Sequence, residues 1–228
     1  MKRRLIGACF AAIFGLGSVP AHAQVVVDEG AFIVLRSGQP VGTESYSIRR
    51  SGFGDNRVLV AQGTVEWDRP RRRATVRTLL RGRDLDLAAF EAKVSGDVQA
   101  ETGLQMAGRR FVLSSRTDDG MTEQEFRAVP GAVVLEPGVA HLYALLALRA
   151  PDGGSVPVIV PARGRALRAE VSVVGAERVE VDGRALPARH LRVEIGGAEH
   201  HVWLDEEGHL LRVHVPDADF DARRRERP

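Results

Sequence analysis

Cysteine is nearly missing from this 228-residue chain: Cys9 is the only one. A disulfide framework, a thiol nucleophile beyond residue 9 and thiolate-bound zinc are therefore excluded. Lysine is almost as scarce, with Lys2 and Lys93 standing among 32 basic residues. So strong an arginine bias, beside abundant Ala, Val and Gly, reads as the coding habit of a GC-rich genome. Aromatic residues make up 5%. The glycine patterns that cradle nucleotides are absent, as are Gly-x-Ser-x-Gly, His-Glu-x-x-His and Ser-x-x-Lys. Asp118-Asp119-Gly120 and Asp152-Gly153-Gly154 lack the alternating ligands and distal Glu of a calcium loop and read as turns. No known catalytic motif remains. The expectation is a protein that is not an enzyme and carries no cofactor.

What is present begins with "MKRRLIGACFAAIFGLGSVPAHAQ". Lys2, Arg3 and Arg4 form a basic start, and Leu5 to Leu16 form an apolar stretch too short to span a bilayer comfortably, which takes about 20 residues. Ala21-His22-Ala23 is an A-x-A cleavage site. Residues 1–23 are read as a cleaved signal peptide, and the protein as periplasmic or secreted, not transmembrane after cleavage. A lipobox ending at Cys9 would leave almost no apolar stretch before it. Losing the three basic residues of 1–23 turns the formal charge from +2 to −1. Charges of both signs are interspersed, so nucleic acid is not an expected partner. Residues 24–228 are long enough for one domain with a core of its own, closing in a charged tail, 223–228.

Short alternating runs broken by Gly, Pro and Asp give the signature of an antiparallel β-protein. In "NRVLVAQGTVEW", Leu59, Ala61, Val65 and Trp67 share one face, and Gln62, Thr64 and Glu66 the other. In "RALRAEVSVV", Leu167, Ala169, Val171 and Val173 share a face. "ERVEVDGRALPARHLRVEI" is a hairpin turning at Asp182-Gly183, with Val179 and Val181 facing in; another opens the chain around Ser37 to Pro40. One segment breaks the rhythm. "PGVAHLYALLALRAPDGG" predicts a helix over about 138–149, apolar nearly all round apart from His141 and Arg149. Such a helix is buried. The fold class is mainly β: a single curved antiparallel sheet, a half-barrel, wrapped around one short apolar helix.

The stretches "EGAFIVLRSGQPVGTESYSIRR", "ERVEVDGRALPARHLRV" and "HVWLDEEGHLLRVHVP" resemble a family of uncharacterised secreted bacterial β-proteins. More distantly they are similar to the half-barrel superfamily of periplasmic lipoprotein carriers and lipid-binding lipoproteins. That resemblance implies a sheet whose concave face holds acyl chains, and it transfers no catalytic residue. Residues expected to line the hollow are Leu142, Tyr143 and Leu146 on the helix, with Trp67 and Trp203.

Four histidines crowd the last hairpin. Asp205-Glu206-Glu207-Gly208 reads as a type I turn with Gly208 left-handed. Continuing the pairing pairs Trp203 with Leu211 and sets His200 opposite His214, with Cβ atoms roughly 4.5–5.5 Å apart. These two are the weak candidates for metal binding. A stable site needs a third and fourth ligand, which only His190 or Glu194 could offer, so no metal is expected. Three functions follow in order: a periplasmic carrier for a lipid or other apolar small molecule; a structural or interaction module of the cell envelope, with an envelope protein as partner and a filled core; and a metal-dependent enzyme using the His-bearing hairpin.

Overall fold

The computed structural model describes residues 24–225. The predicted signal segment, 1–23, and residues 226–228 lie outside them. The described strands are β1 (Val25–Arg36), β2 (Gln39–Ser51), β3 (Val58–Trp67), β4 (Arg72–Arg81), β5 (Asp86–Gly96), β6 (Ala100–Ala107), β7 (Arg110–Thr117), β8 (Gly120–Arg127), β9 (Val133–Val134), β10 (Gly154–Val160), β11 (Arg165–Val181), β12 (Arg184–Ile195), β13 (Ala198–Leu204), β14 (Leu210–Val215) and β15 (Phe220–Arg225). A helix, α1 (Leu142–Arg149), lies between β9 and β10.

All of these strands join one sheet in the order β8-β7-β6-β5-β4-β3-β2-β1-β15-β14-β13-β12-β11-β10-β9. The chain starts mid-sheet, meanders to one edge, crosses to the other, and meanders back until β15 pairs with β1. Neighbours are antiparallel except for the short parallel β9–β10 pair, so the sheet is mixed rather than purely antiparallel. The curvature has local causes. Register shifts interrupt the pairing at Val26/Asp28, Val34/Leu35, Leu79/Leu80, Val173/Gly175 and Trp203/Leu204, and each bends its strand. The sheet does not close: β8 is an edge strand, exposed and mostly polar apart from Met121 and Phe126. Its Gln124 reaches the backbone carbonyl of Gly164, beyond β10, at 3.1 Å.

The interior is one apolar cluster drawn from both arms of the meander and from α1. Leu142, Leu145 and Leu146 are at most 1% exposed. The helix is two turns, shorter than the 138–149 expected: Gly138, with φ of 77°, turns the chain, and helical hydrogen bonding begins only at Leu142. Gly63 explains how the helix gets so close. It sits in the inward row Leu59, Ala61, Val65, and a Cβ there would come within 2.7 Å of the His141 ring.

One sequence expectation is refined and another corrected. Val173 shares the face of Val171, as the unbroken pairing with Leu191 and Val193 shows, but it is 45% exposed because it borders an open cleft. Beyond it the β11–β12 hairpin extends as an arm, turning at Asp182-Gly183 as expected, with φ of 46° and 78°. Its Val179, Val181 and Ala188 bury themselves against Trp203 and Leu211 in a second small cluster, separate from the interior. The supposed tail is the correction: Arg223, Arg224 and Arg225 are strand residues paired to β1. Arg224 faces a buried carboxylate, which is why a charged run here is ordered. It donates to Asp28 Oδ1 at 3.0 Å, to the Tyr46 hydroxyl at 2.9 Å and to the carbonyls of Leu210 and Glu29.

Candidate functional site

Two concavities flank α1. The larger lies beside the carboxyl half of the helix, a half-open cleft of about 850 Å3. Ala144, Leu145, Ala147 and Leu148 form its helical wall, and Ile48, Leu59, Val173, Pro187 and Leu204 come from the sheet. Leu148 is 49% exposed, an apolar side chain left at the mouth. Asp205, Glu206, Glu207 and His209 from the β13–β14 turn also line the cleft, together with Arg189, the strand partner of Leu204. A depression of about 680 Å3 also crosses β1 to β5, but Glu29, Arg49, Arg77, Glu91 and Lys93 line it, as on any solvated sheet face.

The smaller pocket, about 180 Å3, lies at the amino end of α1. Tyr143 and His200 meet in its wall, with the phenol oxygen 2.7 Å from Nδ1. Glu136, Arg163 and Asp217 complete its ionisable lining. Burial, reinforced by the Arg163 charge, pulls the His200 imidazole down to about 4. Burial pushes the Tyr143 phenol up. Burial also pushes the Glu136 carboxyl up to about 7, only partly opposed by the Ala162 backbone N–H. One oxygen of that carboxyl, Oε2, is shielded from solvent and has no hydrogen-bond partner among the described residues.

Of the lining residues expected from sequence, only Tyr143 borders either concavity. Leu142 and Leu146 are packed core. Trp67 is buried in the interior cluster beneath the Arg72 guanidinium, 4.2 Å from its ring centre. Trp203 lies on the convex face, where its indole N–H donates to Glu177 at 2.9 Å. The two histidines are corrected as well. An extra residue, Leu211, bulges in β14, so Trp203 pairs with Arg212 and His201 pairs with His214. A one-residue slip exchanges faces. The slip puts His214 on the convex face, while His200, alternating with the buried Val202 and Leu204, faces inward to Tyr143.

On the convex side His190, His201, Trp203 and His214 form a stacked row. Glu177 holds His190 Nδ1 at 2.8 Å, His190 Nε2 meets His201 Nδ1 at 2.9 Å, and Glu199 lies 3.0 Å from His201 Nε2. Most of these ring nitrogens are already engaged in hydrogen bonds. Among the described residues, Asp205, Glu207 and His209 are the three metal-capable side chains whose ligand atoms lie within 4.8 Å of one another. Asp205 is occupied by the His209 backbone N–H at 2.7 Å and ring nitrogen at 3.0 Å, bonds that fix the turn.

Sequence reading missed Glu136, Arg163 and the whole cleft wall at Ala144, Ala147 and Leu148. The helix did show a polar residue where none should be, His141, and its partner is Glu44. Both are fully buried, with Nδ1 and Oε1 2.6 Å apart.

No family model and no curated protein matches the chain. Solved structures do. A β-barrel-like protein of the domain of unknown function DUF1849 from Brucella abortus aligns with a TM-score of 0.52 at 11% identity, over 86% of this chain and 93% of that one. A DUF1089 family protein from Pseudomonas aeruginosa aligns at 0.43 and 15% identity, over 80% and 92%. The first likeness supports a barrel-like β-fold shared with proteins of uncharacterised function.

Proposed function

We propose that this protein is a non-catalytic binding protein for an apolar small molecule or lipid chain, taken up in the cleft beside the carboxyl half of α1. One observation carries the reading: a concave, mainly apolar cleft of about 850 Å3 stays open beside a helix whose opposite face is fully packed. Ligand sites are typically clefts of about 300–1,000 Å3 lined by apolar groups with a few polar ones at the rim. The fold suits the task, because an unclosed sheet offers a cavity mouth without sacrificing its core. This reading keeps the apolar ligand that the sequence resemblance implied and puts it at the cavity mouth rather than between helix and sheet. Residues 1–23 extend it to an exported protein working in the periplasm or outside the cell.

The test is extraction of the natively purified protein with organic solvent, followed by mass spectrometry. A stoichiometric apolar compound, lost from a variant with the cleft wall filled, is the expected result. A clean extract from protein that also fails to take up any apolar probe would contradict the reading and favour a packed structural module.

A further inference from the structure

The pocket at the amino end of α1 is separate from the cleft and is built of different chemistry. Its walls are apolar: Leu135, Val160, Leu167, Ile195, Val215 and Phe220. Its polar groups come from five places: Glu136 before the helix, Tyr143 on it, His200 on β13, Arg163 in the turn after β10, and Asp217 in the turn after β14. Tyr143 and His200 satisfy each other, leaving the Glu136 Oε2 atom buried without a partner. A buried carboxyl oxygen with no partner is costly unless something completes it. The volume of about 180 Å3 matches roughly six non-hydrogen atoms, at about 30 Å3 for each water-sized unit.

We propose that this pocket is a second ligand site, shaped for a small apolar monocarboxylate of butanoate size. The acyl chain lies on the apolar walls. Arg163, exposed at the mouth, supplies the opposite charge. Glu136 lines the pocket, and on binding its protonated carboxyl turns to donate an O–H to a carboxylate oxygen, giving Oε2 the partner it lacks. Burial keeps Glu136 protonated up to about pH 7 and keeps His200 uncharged down to about pH 4. Between those limits the guanidinium is the cation of the pocket. Asp217, also exposed in the lining, works against anion entry. An amine ligand is disfavoured by Arg163 and by the neutral carboxyl.

The pH sign follows from Glu136. As pH rises through about 7 the carboxyl ionises and repels the bound carboxylate, so affinity falls in that direction. The experiment titrates full-length protein with butanoate, butylamine and butanamide, following the His200 ring signals by NMR. Butanoate should shift them saturably at about pH 6 and bind at least about tenfold more weakly at about pH 8.5. Glu136→Gln should bind butanoate with no pH dependence over that range, and Arg163→Ala should weaken binding about tenfold at both ends. Asp217→Asn should tighten it. Preference for butylamine, unchanged pH dependence in Glu136→Gln, or no saturable shift of His200 in a protein with a native spectrum would each overturn the proposal. Blocking the cleft beside Leu148 should leave these titrations unchanged, which separates this site from the first.

Discussion

Glu44 and His141, 97 residues apart in the chain, meet inside the sheet and fasten the amino end of α1. The Glu44 carboxylate accepts the backbone N–H of Ala140 at 2.7 Å and of His141 at 2.9 Å, while His141 Nδ1 lies 2.6 Å from Oε1. Three hydrogen bonds converge on one buried carboxylate. Removing a single partner leaves buried polar groups stranded. Glu44→Ala should cost about 3–5 kcal/mol in urea unfolding, more than a cavity of that size alone.

Gly63→Ala tests the same junction from the other side. The added methyl would meet the His141 ring at 2.7 and 2.8 Å, and that ring is held by Glu44. Overpacking of this kind costs about 1–3 kcal/mol. Pairing Gly63→Ala with His141→Ala should recover part of that cost in a double-mutant cycle.

The helix leucines separate core from cleft. Leu146, fully buried, should cost about 2–5 kcal/mol on truncation to Ala. Leu148, 49% exposed at the cleft mouth, should cost less than about 1 kcal/mol. Equal costs would mean the cleft wall is closed in solution.

Much of this fold was legible because period-2 alternation and turn chemistry are local. Leu59, Ala61, Val65 and Trp67 are all buried, and Asp182-Gly183 and Gly208 have the backbone they imply. Bulges are not local in the same sense. Leu211 carries no mark of being an extra residue, yet it moves His214 from one face of the sheet to the other. Arg224 shows why a basic terminal run was misread: its partners, Asp28 and Tyr46, are nearly two hundred residues away. Ala144, Ala147 and Leu148 looked like one more side of a buried helix, because nothing in a sequence states that one side remains uncovered.

Arg224→Ala should therefore behave as a core substitution. It leaves Asp28, which is 5% exposed, without its counter-charge and should lower stability by about 3–5 kcal/mol.

The small pocket predicts opposite pH slopes for two variants. Glu136 has its folded value raised from 4.5 to about 7, so the native state loses stability as pH rises through that window and stays at the lower level above it. Glu136→Gln should gain on the wild type between about pH 4.5 and 7. His200 has its value lowered from 6.5 to about 4, so the native state loses stability as pH falls through that range. His200→Gln should gain on the wild type toward acid. Melting temperatures across pH read both differences directly.

Ligand uptake by the cleft is tested most directly by a variant in which the cleft is blocked. Ala144 is half-buried in the cleft wall, on the helix but outside the tightly packed leucine face. Fluorescence titration with N-phenyl-1-naphthylamine, an uncharged apolar probe, should show saturable binding to the wild type and none to Ala144→Trp, with both unfolding at similar urea concentrations. Equal probe binding by the two proteins, or none by a delipidated wild type, would contradict the assignment of this cleft as the ligand site.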